Sequence, residues 1–198
     1  MRHSLSLVSA FSRCAFMMLM IVTPIWPKAY AAQLEGVEVP ETMQVLGKAL
    51  HLNGLGLRTY SILDIHIYAA SLYLEHFGTD PDQVIHSPET KLLAVRFVHA
   101  VSAEEAQKAW RTGLENNCVA PCHLDPNDVA TFLSRVPEMH VGDVFNLIFT
   151  RNGGTVTVNG QQIGTISRKQ FADAILATFL GPNPSAPELK QDLLRGHP

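Results

Sequence analysis

The sequence has no surplus of positive charge. Its 198 residues carry 15 Lys and Arg against 18 Asp and Glu, a net charge of −3. Nucleic-acid binding calls for a basic face, and electrostatic attachment to an anionic membrane calls for a basic segment. The composition speaks against both. Long apolar runs are scarce as well. Beyond the N-terminus no stretch reaches the roughly 20 apolar residues that a membrane-spanning helix needs. There is no glycine-rich phosphate loop, no defensible Ser/His/Asp order, no paired-carboxylate motif, no internal repeat and no low-complexity segment. The nine histidines are scattered, and no two stand four apart as a helical metal-ligand pair would. Cysteine is rare: beyond Cys14 there are only Cys118 and Cys122.

What remains is an ordinary globular balance, 46% apolar and 17% charged, in a length suited to one domain. The N-terminus departs from it. Arg2 and Arg13 supply positive charge, an apolar run extends from Ala15 to Ile25, and Ala29-Tyr30-Ala31 makes a small-x-small cleavage site. That order is the pattern of a secretory signal peptide. Residues 1–31 are therefore read as a signal peptide and 32–198 as one exported domain, periplasmic or secreted, with no integral membrane segment after cleavage. The alternative, an uncleaved anchor, is disfavoured by the short run and by Pro24 and Pro27 within or beside it. Cys14 precedes the apolar run and is not placed for lipid attachment.

Strand signals dominate the first half of the domain. Leu46, Leu50 and Leu52 share one parity, and Gly54 and Gly56 then suggest a turn or bulge. Leu63, Ile65 and Ile67 alternate with Asp64, His66 and Tyr68, which predicts a strand with a polar face. Leu92 to Val98 is another strand. Helix starts follow: a capping box at Ser102-Ala-Glu-Glu105, and Asp-Pro starts at Asp80 and Asp125. Ala106, Trp110, Gly113 and Leu114 share one helical face. Sheet returns from Val144 to Thr150 and Thr155 to Val158, and Asn159-Gly160 marks a hairpin into Gln162–Ile166. Ser167 is expected to cap a helix ending at Gly181-Pro182, and Ser185 to cap a last short one. Strands grouped before and after helices indicate an α+β domain.

Cys118-Val-Ala-Pro-Cys122-His123 admits several readings. Export and an even count favour a local disulfide. Haem attachment would need one residue fewer between the cysteines, and a closed zinc site would need a further ligand. Two free thiols are the remaining alternative.

The order of motifs resembles the chalcone isomerase-like family, nearest its exported bacterial branch. The likeness is carried by Leu52-Asn-Gly-Leu-Gly-Leu-Arg58 and Ile67-Tyr-Ala-Ala-Ser-Leu-Tyr-Leu-Glu75. Val141-Gly-Asp143, Val158-Asn-Gly160, Gly164-Thr-Ile166 and Phe179-Leu-Gly-Pro182 continue it. The resemblance implies an open-faced β-sandwich, with an antiparallel sheet, helices packed on one face and a ligand cleft between them. It places Arg58 as the cleft arginine that holds a substrate oxyanion or a fatty-acid carboxylate. It makes Tyr68 the counterpart of an isomerase threonine. The isomerases also use a tyrosine, a lysine and an asparagine around the helix after the middle strand. Here Val98 to Asn117 contains no tyrosine, Lys108 falls near the lysine, and Asn116 and Asn117 stand close to the helix end.

The residues themselves suit the same roles. A guanidinium offers a permanent charge and a fork of donors to a carboxylate, and a phenol can donate one hydrogen bond while its ring packs on a chain. Tyr60, His66, Arg96 and His99 are secondary candidates. The expectation is a binder of a small amphipathic carboxylate such as a fatty acid, with Arg58 and Tyr68 at the head group. No catalytic residue, metal site or cofactor is assigned. The rival expectations are an intramolecular lyase of chalcone isomerase type and an envelope interaction protein without a small ligand.

Overall fold

The computed structural model describes residues 31–34, 36–60, 65–118 and 122–196. The segment read as a signal peptide lies outside them except for Ala31, as do Leu63 and Asp64. Strands β1 (Ala31–Leu34) and β2 (Val37–Pro40) form a separate antiparallel hairpin. Seven further strands make one antiparallel sheet: β3 (Thr42–Val45), β4 (Lys48–Tyr60), β5 (Ile65–Leu74), β6 (Lys91–Phe97), β7 (Val144–Thr150), β8 (Gly153–Val158) and β9 (Gln161–Ile166). Their spatial order is their chain order, so each pairs with its sequence neighbours. Helix α1 (Pro81–His86) joins β5 to β6. Helices α2 (Ala103–Asn117) and α3 (Pro126–Arg135) lie between β6 and β7, and α4 (Lys169–Leu180) and α5 (Pro187–Leu193) follow β9. Among the described residues no helix is long and apolar enough to cross a membrane.

The helices share one face of the sheet. Leu72, Leu93 and Leu147 of the strands bury themselves against Ile175, Leu176 and Leu180 of α4, which is enclosed on nearly every side. The opposite face carries a smaller core of Val45, Leu50, Leu52, Tyr73 and Leu92, against which Ala32 and Val39 of the β1–β2 hairpin pack. This is the expected α+β sandwich.

The helix starts at Asp80, Ser102 and Asp125 form as expected, with Ser102 and Glu105 completing a reciprocal capping box. Three local expectations fail. Leu46 does not continue a strand. It and Gly47 take positive φ (52° and 78°) and turn β3 into β4. Two positive φ values make the tight hairpin turn that twisted strands favour, but leucine carries none of the chemistry that announces it. Asn159-Gly160 makes the same kind of turn (49° and 80°) with residues that do. Nor does Ser167 cap α4. Arg168 occupies that position, and its guanidinium crosses to Asp128 and Asp125 at the start of α3, 2.8 and 2.7 Å away. Ser185 is not the cap of α5 either; Ala186 is.

Gly54 and Gly56 sit inside β4 just after a bulge, not in a turn. Helix α5 rests directly on them. A Cβ on Gly56 would stand 2.6 Å from Asp192 Cβ, and one on Gly54 would overlap the Asp192 carbonyl oxygen. The bulged residue, Asn53, is fully buried. Its amide nitrogen donates to the carbonyls of Gly78 (2.9 Å) and Leu193 (2.8 Å), and its oxygen accepts from Gly78 N–H (2.8 Å). Sheet, α1 approach and α5 are thereby tied at one point.

Beyond α2 the structure closes the Cys118–Cys122 disulfide, with Cα atoms 5.1 Å apart. Bridged sulfurs leave neither a thiol for haem nor a thiolate for zinc.

The glycine contact is testable. Gly54→Ala should lower unfolding free energy by about 1–3 kcal/mol, the usual range for overpacking, in a urea titration. An unchanged midpoint would show that α5 is not seated on β4.

Candidate ligand-binding cleft

Arg58 and Tyr68 stand directly opposite each other on β4 and β5. Alternation along β5 puts Tyr68 on the helix side with Ala70, Leu72 and Leu74. The Tyr68 ring meets Phe97 edge-on at 5.6 Å and leans on Phe179 at 6.5 Å. A second bulge follows the Arg58–Tyr68 pair, so the strict alternation expected of His66 and Tyr68 breaks, and Ile67 and Tyr68 both line the cleft.

The cleft encloses about 900 Å³ between β4–β7, α2 and the segment joining α4 to α5. That lies within the range of roughly 300–1,000 Å³ usual for small-molecule sites. Its interior is apolar, with Val95, Phe97, Met139 and Phe145 along the sheet side and Trp110 and Phe179 from the helices. Trp110 is itself held edge-on by Phe132 (5.2 Å) and Phe179 (5.7 Å). Its polar end is formed by Arg58, Tyr68 and Ser185.

At that end the Arg58 guanidinium donates to the Ser185 carbonyl oxygen. Burial pushes the Tyr68 phenol up to about 12, against the opposing pull of the Arg58 charge and of a hydrogen bond with the Ser185 side chain. The phenol is neutral at physiological pH and keeps its proton to donate. The site thus presents a fixed cation with hydroxyl groups beside it, at one end of an apolar space. Glu105 lies on the α2 wall, but Ser102 engages its carboxylate through both N–H and hydroxyl (3.1 and 2.6 Å) and holds it below the usual range. Such an arrangement suits the holding of an anion better than the transfer of a proton. Among the described residues no three His, Cys, Asp or Glu are grouped to hold a metal ion.

The two head-group candidates are therefore neighbours. Tyr60, His99, Lys108 and Asn116 also line the cleft; His66 and Arg96 do not. Arg96 instead donates to the Gly142 carbonyl (3.2 Å). Sequence reading missed Ser185 by taking it for a helix cap. The available signal was Pro187: proline favours the first helical position, which makes Ala186 the cap and frees Ser185.

The family model described as chalcone isomerase-like matches residues 31–195. A crystal structure of a fatty-acid binding protein from Arabidopsis thaliana superposes with a TM-score of 0.70 at 16% sequence identity, covering 84% of this chain and 96% of that one. At that identity the likeness is one of fold. No curated protein sequence matches.

The buried phenol has a pH signature. Below pH 10 it is neutral in both folded and unfolded chains. Between pH 10 and about 12 the unfolded chain has lost the proton that the folded chain keeps, so stability falls as pH rises. The slope is at most about 1.4 kcal/mol per pH unit for each such tyrosine, and Tyr73, also raised to about 12 mainly by burial, adds its own. Tyr68→Phe should remove roughly half of that alkaline slope in urea titrations across the window. An unaltered slope would mean that the phenol is solvated.

Proposed function

The chain belongs to the chalcone isomerase-like family, and on that premise we propose that it is an exported, non-catalytic binder of a small amphipathic carboxylate such as a fatty acid. One observation carries the reading: Arg58 and Tyr68 face each other at the polar end of an apolar cleft of about 900 Å³. The ligand's chain lies along Phe97, Phe145 and Trp110. Its carboxylate takes the fork of the guanidinium and the phenolic proton, charge-assisted bonds roughly twice as strong as neutral ones. The fatty-acid-binding Arabidopsis protein of the same fold supports this reading, and the N-terminal pattern of residues 1–31 supports export. A lyase would need a group placed to move a proton near the bound anion. The α2 wall offers the cleft Lys108, Thr112 and the committed Glu105, but no tyrosine, and the segment before it offers the imidazole of His99.

The test begins with native mass spectrometry of the protein purified from an exporting host without detergent, followed by titration with dodecanoate and its methyl ester. Arg58→Ala should weaken the acid about 10- to 100-fold, the worth of one hydrogen bond to a charged group, and spare the ester. Equal loss for both ligands would remove the head-group role. Turnover of a chalcone that disappears in Arg58→Ala would replace the binder with an enzyme.

A further inference from the structure

We propose that Asn117 is a positioning residue for this cleft: it touches no ligand, and sets head-group affinity by clamping residues 181–186 to the end of α2. The proposal rests on the carboxylate-binding reading above.

Residues 181–186 run between α4 and α5 without regular structure and carry the Ser185 carbonyl that Arg58 grips. A segment without its own hydrogen-bond ladder must borrow partners to be held in one place: α4 and α5 hold its ends, through Ser185 N–H on the Thr178 carbonyl (3.2 Å) and Lys190 Nζ on the Gly181 carbonyl (2.7 Å), and α2 holds its middle. Asn117 Nδ2 donates to the Asn183 carbonyl (2.8 Å), and Asn117 Oδ1 accepts from the Asn183 N–H (3.1 Å). One side-chain amide thus pairs with a backbone unit as a neighbouring strand would. Asn183 returns the link by donating from Nδ2 to the Asn116 carbonyl (3.0 Å). Asn117 is fixed in its turn, because Nδ2 also donates to the Gly113 carbonyl one helical turn back (2.9 Å). Both amide N–H groups and the oxygen are therefore committed. The approach is close enough that a Cβ on Gly181 would overlap Asn117 Oδ1. Cys118, the next residue, caps α2 with its N–H on the Leu114 carbonyl (2.9 Å) and is bridged to Cys122, so the helix end that bears Asn117 is held shut. Asn116 lines the cleft, but Asn117 does not.

The consequence reaches Arg58. A guanidinium has five N–H donors in a rigid fork. Among the described residues the Ser185 carbonyl takes one and orients the plane. Without the clamp, Ser185 rests on its single 3.2 Å bond to the Thr178 carbonyl, its position is less defined, and a ligand must do more of the ordering of the arginine. Immobilising one long side chain costs binding about three- to tenfold in affinity. The loss falls on ligands that use the guanidinium and spares those that do not.

The experiment compares wild type and Asn117→Ala by calorimetric titration with dodecanoate and methyl dodecanoate, and by hydrogen exchange without ligand. The expected result is an acid affinity about three- to tenfold weaker, an unchanged ester affinity, and faster exchange at the Asn183 and Ser185 amides with the α4 core unaffected. In an Arg58→Ala background the second change should add nothing. Equal weakening of acid and ester would reduce Asn117 to a structural residue, and unaltered exchange would show that it clamps nothing. Should Asn117→Ala fail to fold, the uncharged Asn117→Ser also removes the paired amide, and its acid-selective loss should be present; none would overturn the proposal. Wild type that binds neither ligand overturns the carboxylate reading itself, whereas acid binding that Asn117→Ala leaves intact overturns only the clamp.

Discussion

The seating of α5 on the bare backbone of β4 is the contact on which the polar end of the cleft depends. Gly54, Gly56 and Arg58 alternate along one face of the strand, so the helix lies on the glycines and the guanidinium emerges just beyond it. Glycine in a strand costs about 0.5–1 kcal/mol of chain entropy relative to alanine. The fully buried Leu189 and Leu193 of α5 offset this, at about 1.5–3 kcal/mol for each side chain removed from water. Asn53, opposite the last turn of α5, fixes the helix along its axis by bonding the Leu193 carbonyl. Once α5 is so placed, the chain descending from α4 has one short route, and that route passes Arg58 and Tyr68.

The same sheet handles a second buried cation in the opposite manner. Lys91 at the start of β6 is almost fully buried, and its ammonium donates to the Ser87 carbonyl (2.6 Å) just beyond α1. Burial draws its pKa down to about 8, helped by the Lys169 charge and resisted by Asp173, Glu89 and Glu75. It is a structural tie enclosed by its partners. Arg58 is only half-buried, and among the described residues its guanidinium donates to the Ser185 carbonyl.

Much of this fold was legible because local chemistry and global architecture agree. The capping box at Ser102, the Asp-Pro starts and the Asn159-Gly160 hairpin each state their geometry in their own residues. Arg58 and Tyr68 were singled out by the family resemblance that their motifs carry, and the structure sets them side by side on β4 and β5. The failures share a cause. The Leu46-Gly47 turn is imposed by strand twist on a residue that does not signal it, and the second bulge moves Ile67 onto the face of Tyr68 against the sequence alternation. Ser185 joins the site through a contact spanning 127 residues, which no local pattern encodes. Asn117 is invisible for the same reason: in sequence it is a helix-ending asparagine, and only the return of residue 183 gives its amide a partner.

What α2 presents to the cleft decides whether a held anion is merely held. Glu105, Lys108, Thr112 and Asn116 recur at helical spacing along its cleft-facing side. Of these, Glu105 is the carboxylate, and the capping box that starts the helix engages it and holds it below the usual range. The carboxylate that completes the cap of α2 is thus also the one that α2 presents to the cleft. Near Arg58 the neighbours are the Tyr68 phenol, kept protonated by burial, and the Ser185 hydroxyl and carbonyl. An anion arriving there meets a fixed positive charge and donors that do not release their protons near neutral pH. Its negative charge is stabilised where it stands, and the imidazole of the same cleft, His99, comes from the segment just after β6. For a bound carboxylate, as proposed above, such electrostatics hold the charge while the aromatic side chains of the cleft meet the rest of the ligand.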